Sequence, residues 1–242
     1  MSLERIPDFV ARHVQLLPEK SRPPDIESLL CGYLGHLVET NAEINLVSRR
    51  NTLDHVDVFT YECLFMARIL LEERLEMGLD RSPRLLDIGS GGGFPGLILK
   101  IAIPDLEIQM VEGTRKKARF LAQVAAGLDL HQTSIVWGRA EDLANVQKLQ
   151  YKKELRYSFD WVTGKGLGSL QHSTEIAEPF LRPGGVHWTF KGTKCQAELE
   201  EAGGVFRQRG FSKYRVESIP GDRESYIVGV QRRGTERGGG RR

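Results

Sequence analysis

Apolar residues in the first third of the chain recur at helical spacing. Ile26, Leu29, Leu30, Tyr33, Leu34, Leu37 and Val38 form one stripe, which predicts a helix opening after Pro23 and Pro24. A second predicted helix runs from Leu53 to Met77 and stops near Gly78. From Arg84 the period changes to short apolar runs alternating with helical stretches. Leu85–Ile88, Leu106–Val111, Ser134–Trp137, Phe159–Thr163 and Val186–Phe190 read as strands. Helices are predicted at Leu97–Ile103, at Thr114–Ala126, from near Glu141, and over 168–180. Strands alternating with helices imply a parallel sheet covered on both faces. Phe211–Ile219 and Ser225–Val230 flank the turn sequence Pro220-Gly221-Asp222 and read as an antiparallel hairpin.

The pattern divides the chain into a helical segment, 1–82, an α/β domain, 83–230, and an apolar-free tail, 231–242, whose Arg/Gly composition predicts disorder. Charge follows the same division. Residues 1–82 carry 9 Lys+Arg against 14 Asp+Glu, and the rest of the chain carries 25 against 18. An acidic front and a basic remainder suit a polyanionic partner for the second part. Three scattered cysteines, Cys31, Cys63 and Cys195, make neither a disulfide framework nor a metal cluster. No apolar run reaches membrane-spanning length, and charges interrupt the N-terminus, so a cytoplasmic protein without a membrane partner is expected.

Glycine changes the picture most. The chain has 26 in 242 residues, and five of them fall in LLDIGSGGGFPG: Gly89, Gly91, Gly92, Gly93 and Gly96. A strand that ends in such a loop and opens into a helix sets a small-molecule site at the carboxyl edge of the sheet. Asp87 lies at the end of that strand. A carboxylate there opposes an anionic pyrophosphate, which disfavours a nicotinamide cofactor, but it suits a sulfonium, an ammonium or ribose hydroxyls. S-adenosylmethionine carries all three. Glu112, at the end of the next strand, is placed to accept ribose hydroxyls. GRAEDL (Gly138–Leu143) comes after the third strand, where the N–H of Ala140 or Glu141 is a candidate reader of an adenine edge. Glu141 is equally well explained as an acid favoured at a helix start.

Several segments, in order over residues 25–230, resemble the RsmG (GidB) family of bacterial methyltransferases. They are NAEINLVS (Asn41–Ser48), LLDIGSGGGFPG, VEGTRKKARFL (Val111–Leu121), GRAEDL, FDWVTGKGLGSL (Phe159–Leu170), LRPGG (Leu181–Gly185) and FKG (Phe190–Gly192). The resemblance implies a Rossmann-like class I S-adenosylmethionine-dependent methyltransferase fold with an N-terminal helical extension and a C-terminal antiparallel hairpin. It also implies methylation of a guanine N7 in small-subunit (16S) ribosomal RNA, with that RNA or the small subunit as partner. Gly89, Phe94, Ala140 and Glu141 then take cofactor-contacting positions beside Asp87, Gly91 and Glu112. Lys165 stands where the family has an arginine, keeping the charge without the bidentate fork. The family's His-x-x-Asp-Ser signature is replaced by Phe59-Thr60-Tyr61-Glu62-Cys63, outside the glycine loop. Its Arg-His pair is replaced near Glu224-Ser225.

Guanine N7 has an exposed lone pair and loses no proton, so transfer needs alignment rather than a general base. In keeping with this, no catalytic residue is assigned; Lys165 is a candidate for positioning a phosphate or the cofactor carboxylate. Candidate RNA contacts are Arg49-Arg50, Lys191 and the Arg115-Lys116-Lys117-Arg119 cluster, whose cations alternatively line a solvated helix face. Two other readings stay open: a methyltransferase for another RNA site or a small molecule, and a non-catalytic RNA-binding scaffold.

Overall fold

In a computed structural model the described residues are 3–144 and 154–234. The contacts group the chain into two compact units, Met1–Ala140 and Glu141–Arg242.

The first unit joins the helical segment to the first three strands. Helices α1 (Arg5–His13), α2 (Ile26–Thr40) and α3 (Thr52–Glu76) pack on one another through Phe9, Val10, Leu30, Leu34, Leu37, Val56 and Leu70. Helix α4 (Gly96–Ala102) lies against both α2 and α3 and is buried along its whole length. The N-terminal helices thus share a core with α4. Even Lys100 of α4 is buried. Its ammonium donates to the carbonyls of Pro104 and Leu106 (2.6 and 2.8 Å), and burial lowers its pKa. Strands β1 (Arg84–Ile88), β2 (Glu107–Glu112) and β3 (Thr133–Trp137) are parallel, in the order β3-β2-β1. Helix α5 (Arg115–Gly127) buries Ala118, Phe120, Leu121 and Val124. The chain leaves the unit as α6 (Ala140–Ala144) begins; residues 145–153 lie outside the described residues.

The second unit holds β4 (Phe159–Gly164) parallel to β5 (Leu181–Lys191), then the antiparallel pair β7 (Tyr226–Arg232) and β6 (Phe211–Ser218), with β7 beside β5. The hairpin forms as its turn sequence predicts. β5 starts earlier than the apolar run Val186–Phe190 because LRPGG forms a bulged lead-in. Leu181 pairs with Phe159, and Arg182 forms an ion pair with the buried Asp160. Gly185 is required there, since a Cβ would lie 2.9 Å from the Phe159 carbonyl. Helix α7 (Leu170–Ala177) is shorter than the predicted 168–180: Ser169 caps its start by accepting from the His172 N–H, and it ends at Glu178, the residue before Pro179. Helix α8 (Cys195–Gln208) has no counterpart in the predicted elements: Gly203-Gly204 interrupt its pattern, and Cys195, Ala202 and Phe206 are its buried residues. Gln231 and Arg232, assigned to the tail by composition, are strand residues of β7. Residues 235–242 lie outside the described residues.

Candidate functional site

The registers align the carboxyl ends of the three parallel strands of the first unit: Ile88 lies beside Val111, and Glu112 beside Trp137. Ligands of open parallel sheets gather at that edge.

The glycine-rich loop starts there. Gly89 leaves β1 with φ +68°, and the N–H groups of Gly89 and Ser90 both donate to the Val111 carbonyl. Gly91 (φ +56°) and Gly93 (φ +105°) complete a left-handed path that other residues rarely adopt. The Gly91 N–H donates to Glu112 Oε2 across 2.9 Å, while Glu112 Oε1 accepts from the Thr114 N–H at 2.7 Å. One carboxylate thus pins the loop to β2. A carboxylate offers about four acceptor positions, so two remain. The turn after β3 reaches the same place, because the Gly138 N–H donates to the Glu112 carbonyl at 3.0 Å.

The helical segment clamps the loop from the other side. Tyr33, fully buried on α2, donates its hydroxyl to the Gly92 carbonyl at 2.7 Å. Burial, then the nearby Cys63 and Asp87, push the Tyr33 pKa well up, so the phenol remains a donor at any ordinary pH. Asn41 Oδ1 accepts from the N–H groups of Leu46 and Val47 (2.8 and 3.0 Å) and folds NAEINLVS into a hook. The hook sets Leu46 on Gly92, where an added Cβ would lie 3.4 Å from it. Gly93 has less room still: a Cβ would come within 2.5 Å of Leu97 Cδ1 and 2.8 Å of the Tyr33 oxygen.

Asp87 is buried at the end of β1, and a Cβ on Gly96 would meet its Oδ2 at 2.7 Å. Phe94 is buried too, its ring 5.9 Å from that of Tyr33 and 5.5 Å, edge-on, from that of Phe59. Phe59 belongs to the segment that replaces the His-x-x-Asp-Ser signature. That departure lies outside the loop in sequence but touches it in space, and Thr60, Glu62 and Cys63 are buried beside it in α3.

Of the sequence-derived candidates, Asp87, Gly89, Gly91, Phe94, Glu112 and Ala140 belong to this first unit. Ala140 is buried at the start of α6. Glu141 is exposed at the opening of the second unit. Lys165, just after β4 in that unit, is partly buried with its ammonium 4.8 Å from the centre of the Phe190 ring. The role of Tyr33 was hidden in the sequence, because an apolar stripe does not distinguish a core tyrosine from one that grips a loop; Asn41 and Phe59 stood in motif segments without a role.

One expectation is overturned. Lys191, a candidate RNA contact, is 5% exposed in its side chain, pairs with Glu198 at 2.9 Å and donates to the Gly168 carbonyl at 2.7 Å. Glu198 also accepts from the Leu170 N–H, so Lys191 ties α7 to α8. Arg49 donates to the Ala42 carbonyl from an exposed position, and Arg50 is exposed. No cluster of metal-ligating side chains occurs among the described residues.

Comparison with known proteins places this geometry in a family. The model of the GidB family, described as rRNA small subunit methyltransferase G, matches residues 26–226. A ribosomal RNA small subunit methyltransferase G from Sorangium cellulosum is 42% identical over 179 residues, covering 73% of this chain and 69% of its own. The protein of that name from Cupriavidus pinatubonensis is 32% identical over 216 residues, covering 87% and 88%. Among solved structures, the O-methyltransferase TomG from Streptomyces achromogenes superposes with a TM-score of 0.57 at 16% identity, over 84% of this chain and 90% of that one. A predicted O-methyltransferase from Agrobacterium tumefaciens gives 0.51 at 16% identity, over 65% and 79%. These likenesses show the fold, the Rossmann-like α/β architecture of methyltransferases.

Proposed function

The chain belongs to the GidB family, rRNA small subunit methyltransferase G, and from that membership we propose that it transfers a methyl group from S-adenosylmethionine to N7 of a guanine in small-subunit ribosomal RNA. The observation that carries the reading is Glu112. Its carboxylate holds the loop through Gly91 and keeps acceptor positions for a ribose, at the strand edge where Asp87 adds a second buried carboxylate.

The residues fit the donor. Gly91 is the open point of the loop, where an added Cβ would meet nothing nearer than the Gly89 carbonyl at 3.7 Å, so a ligand can approach the backbone there, while Gly92 and Gly93 are packed against Leu46, Leu97 and Tyr33. The buried carboxylates suit a ligand bearing cationic groups and hydroxyl donors. Glu112 would take the ribose hydroxyls, Asp87 would support the cationic end of the site, and Ala140 would offer its N–H to a base. Glu141 and Lys165, of the second unit, are assigned to the donor through the resemblance of their motifs. When bound, S-adenosylmethionine supplies a methyl already activated on a sulfonium. The protein's part is then to bind, orient and exclude water, with no proton to remove from N7. His187 agrees with this. It is buried, its Nδ1 bonds the Val162 carbonyl, and burial lowers its pKa to about 4, so it is neutral near pH 7 and packed in a core.

No helix among the described residues is long and apolar enough to cross a membrane. A cytoplasmic location, with ribosomal RNA or the small subunit as partner, completes the proposal.

The test is to incubate the protein with methyl-labelled S-adenosylmethionine and, separately, intact small subunits, naked small-subunit RNA and a pool of small metabolites. Label in an RNA fraction supports the proposal. Donor binding without label in any RNA fraction overturns it. Label on RNA away from guanine N7 would refer specificity to Phe59 and the altered segment around it.

A further inference from the structure

Between α5 and β3 lies an open groove of 590 Å³. Arg115, Lys116, Arg119 and Ala122 of α5 form one wall, and Ile135 and Trp137 of β3 form the other. β3 pairs with β2 and stands at the end of the sheet order. Trp137 is 61% exposed, whereas the other two tryptophans, Trp161 and Trp188, are fully buried.

An exposed indole lacks the burial that normally stabilises so large an apolar ring, so its setting is informative. The ring is held in place: Nε1 donates to the Gly113 carbonyl at 3.1 Å, and the Arg115 guanidinium lies 5.4 Å from the ring centre. Among the described residues, none of Arg115, Lys116 and Arg119 has an ion pair with a carboxylate. A groove with three uncompensated cations and a fixed, accessible aromatic face has the composition of a single-stranded nucleic acid site. The cations meet phosphates and the ring meets a base. Its location agrees, because Trp137 lies in register with Glu112 and its hydrogen bond ends on the very next residue, Gly113.

We infer that this groove docks an unpaired stretch of the RNA substrate, with a base stacked on Trp137 and phosphates held by Arg115, Lys116 and Arg119. The inference rests on the RNA-methylating reading above and specifies where on the first unit that RNA lies. It also separates these residues from Lys191, which is internally paired.

Because the other two tryptophans are buried, solvent-exposed indole emission reports Trp137. The purified full chain is titrated with an oligoadenylate decamer and with an abasic decamer of equal charge. Quenching by the oligoadenylate and not by the abasic strand is expected. Trp137→Ala should weaken oligoadenylate binding, read by anisotropy of a labelled strand, by roughly 5- to 150-fold, and Trp137→Phe should restore part of it. Replacing Arg115, Lys116 and Arg119 together by Ala should reduce the log–log salt slope by about 2. With naked small-subunit RNA, both the Trp137→Ala and the triple variant should raise KM for RNA while kcat and donor affinity stay within twofold. Equal quenching by both decamers, or an unchanged KM in variants of an enzyme that methylates RNA, overturns the inference. If wild-type protein transfers no methyl to RNA yet shows base-dependent quenching, the docking groove stands and the methylation reading falls.

Discussion

The hydroxyl of Tyr33 donates to the carbonyl of Gly92 across 2.7 Å, joining the N-terminal helices to the glycine-rich loop at a fully buried point. Tyr33→Phe removes the donor and leaves that carbonyl without this bond. Such a loss costs about 1–3 kcal/mol, a fall in Tm of roughly 2–12 °C for a chain of this size. Calorimetry with and without S-adenosylmethionine should show the fall, together with a donor KM raised several-fold. An unchanged donor KM would mean that the helices do not shape the loop.

Glu112 serves the loop and the proposed ribose with one carboxylate. Glu112→Gln keeps the shape but presents an amide NH2 to either the Gly91 or the Thr114 N–H, and two donors then face each other. Hydrogen bonds to charged groups contribute about 1.5–3 kcal/mol, so donor affinity should fall roughly ten- to hundredfold by calorimetric titration. Affinity equal to that of the wild type would place the ribose elsewhere.

Much of this was legible in the chain, and the divide is physical. The helical stripe from Ile26 to Val38 and the strand–loop–helix around Gly89 are local patterns with a strong period, and both formed within a few residues of expectation. The features that were not legible depend on contacts distant in sequence. Tyr33 reads as core until Gly92, 59 residues away, supplies its acceptor. Phe59 reads as a departure outside the loop until Phe94 packs on it. Lys191 reads as a surface cation until Glu198 and the Gly168 carbonyl enclose it. Charge in a sequence says nothing about which cations find partners.

Lys191→Met tests that last assignment. Removing the ammonium takes the cation from Glu198, which is partly exposed and still accepts from the Leu170 N–H, and should cost about 1–3 kcal/mol in urea unfolding. RNA affinity, measured at a temperature where the variant is folded, should match the wild type. Lost RNA affinity with unchanged stability would return Lys191 to the RNA-binding surface.

His187 predicts a pH dependence. Its folded pKa is about 4 against an ordinary 6.5. Between those values the unfolded chain binds a proton that the folded chain excludes. Stability is therefore full above about pH 6.5, declines as pH falls, and has lost about 3 kcal/mol from this group below about pH 4. Comparing urea unfolding at pH 7 and 4.5, His187→Gln should show a smaller drop than the wild type, whatever its stability at pH 7. An equal drop would assign the acid sensitivity to other groups.

Transfer to guanine N7 is tested most directly by locating the methyl group on small-subunit RNA treated with the protein and S-adenosylmethionine. Reduction and then aniline cleave an RNA strand at N7-methylguanosine, where the imidazole ring has lost its aromatic stability. Donor-dependent scission at one guanine, absent when Gly89→Asp fills the loop, is the expected result. Methylated RNA that resists scission would show that the methyl lies on another atom and would contradict the proposed chemistry.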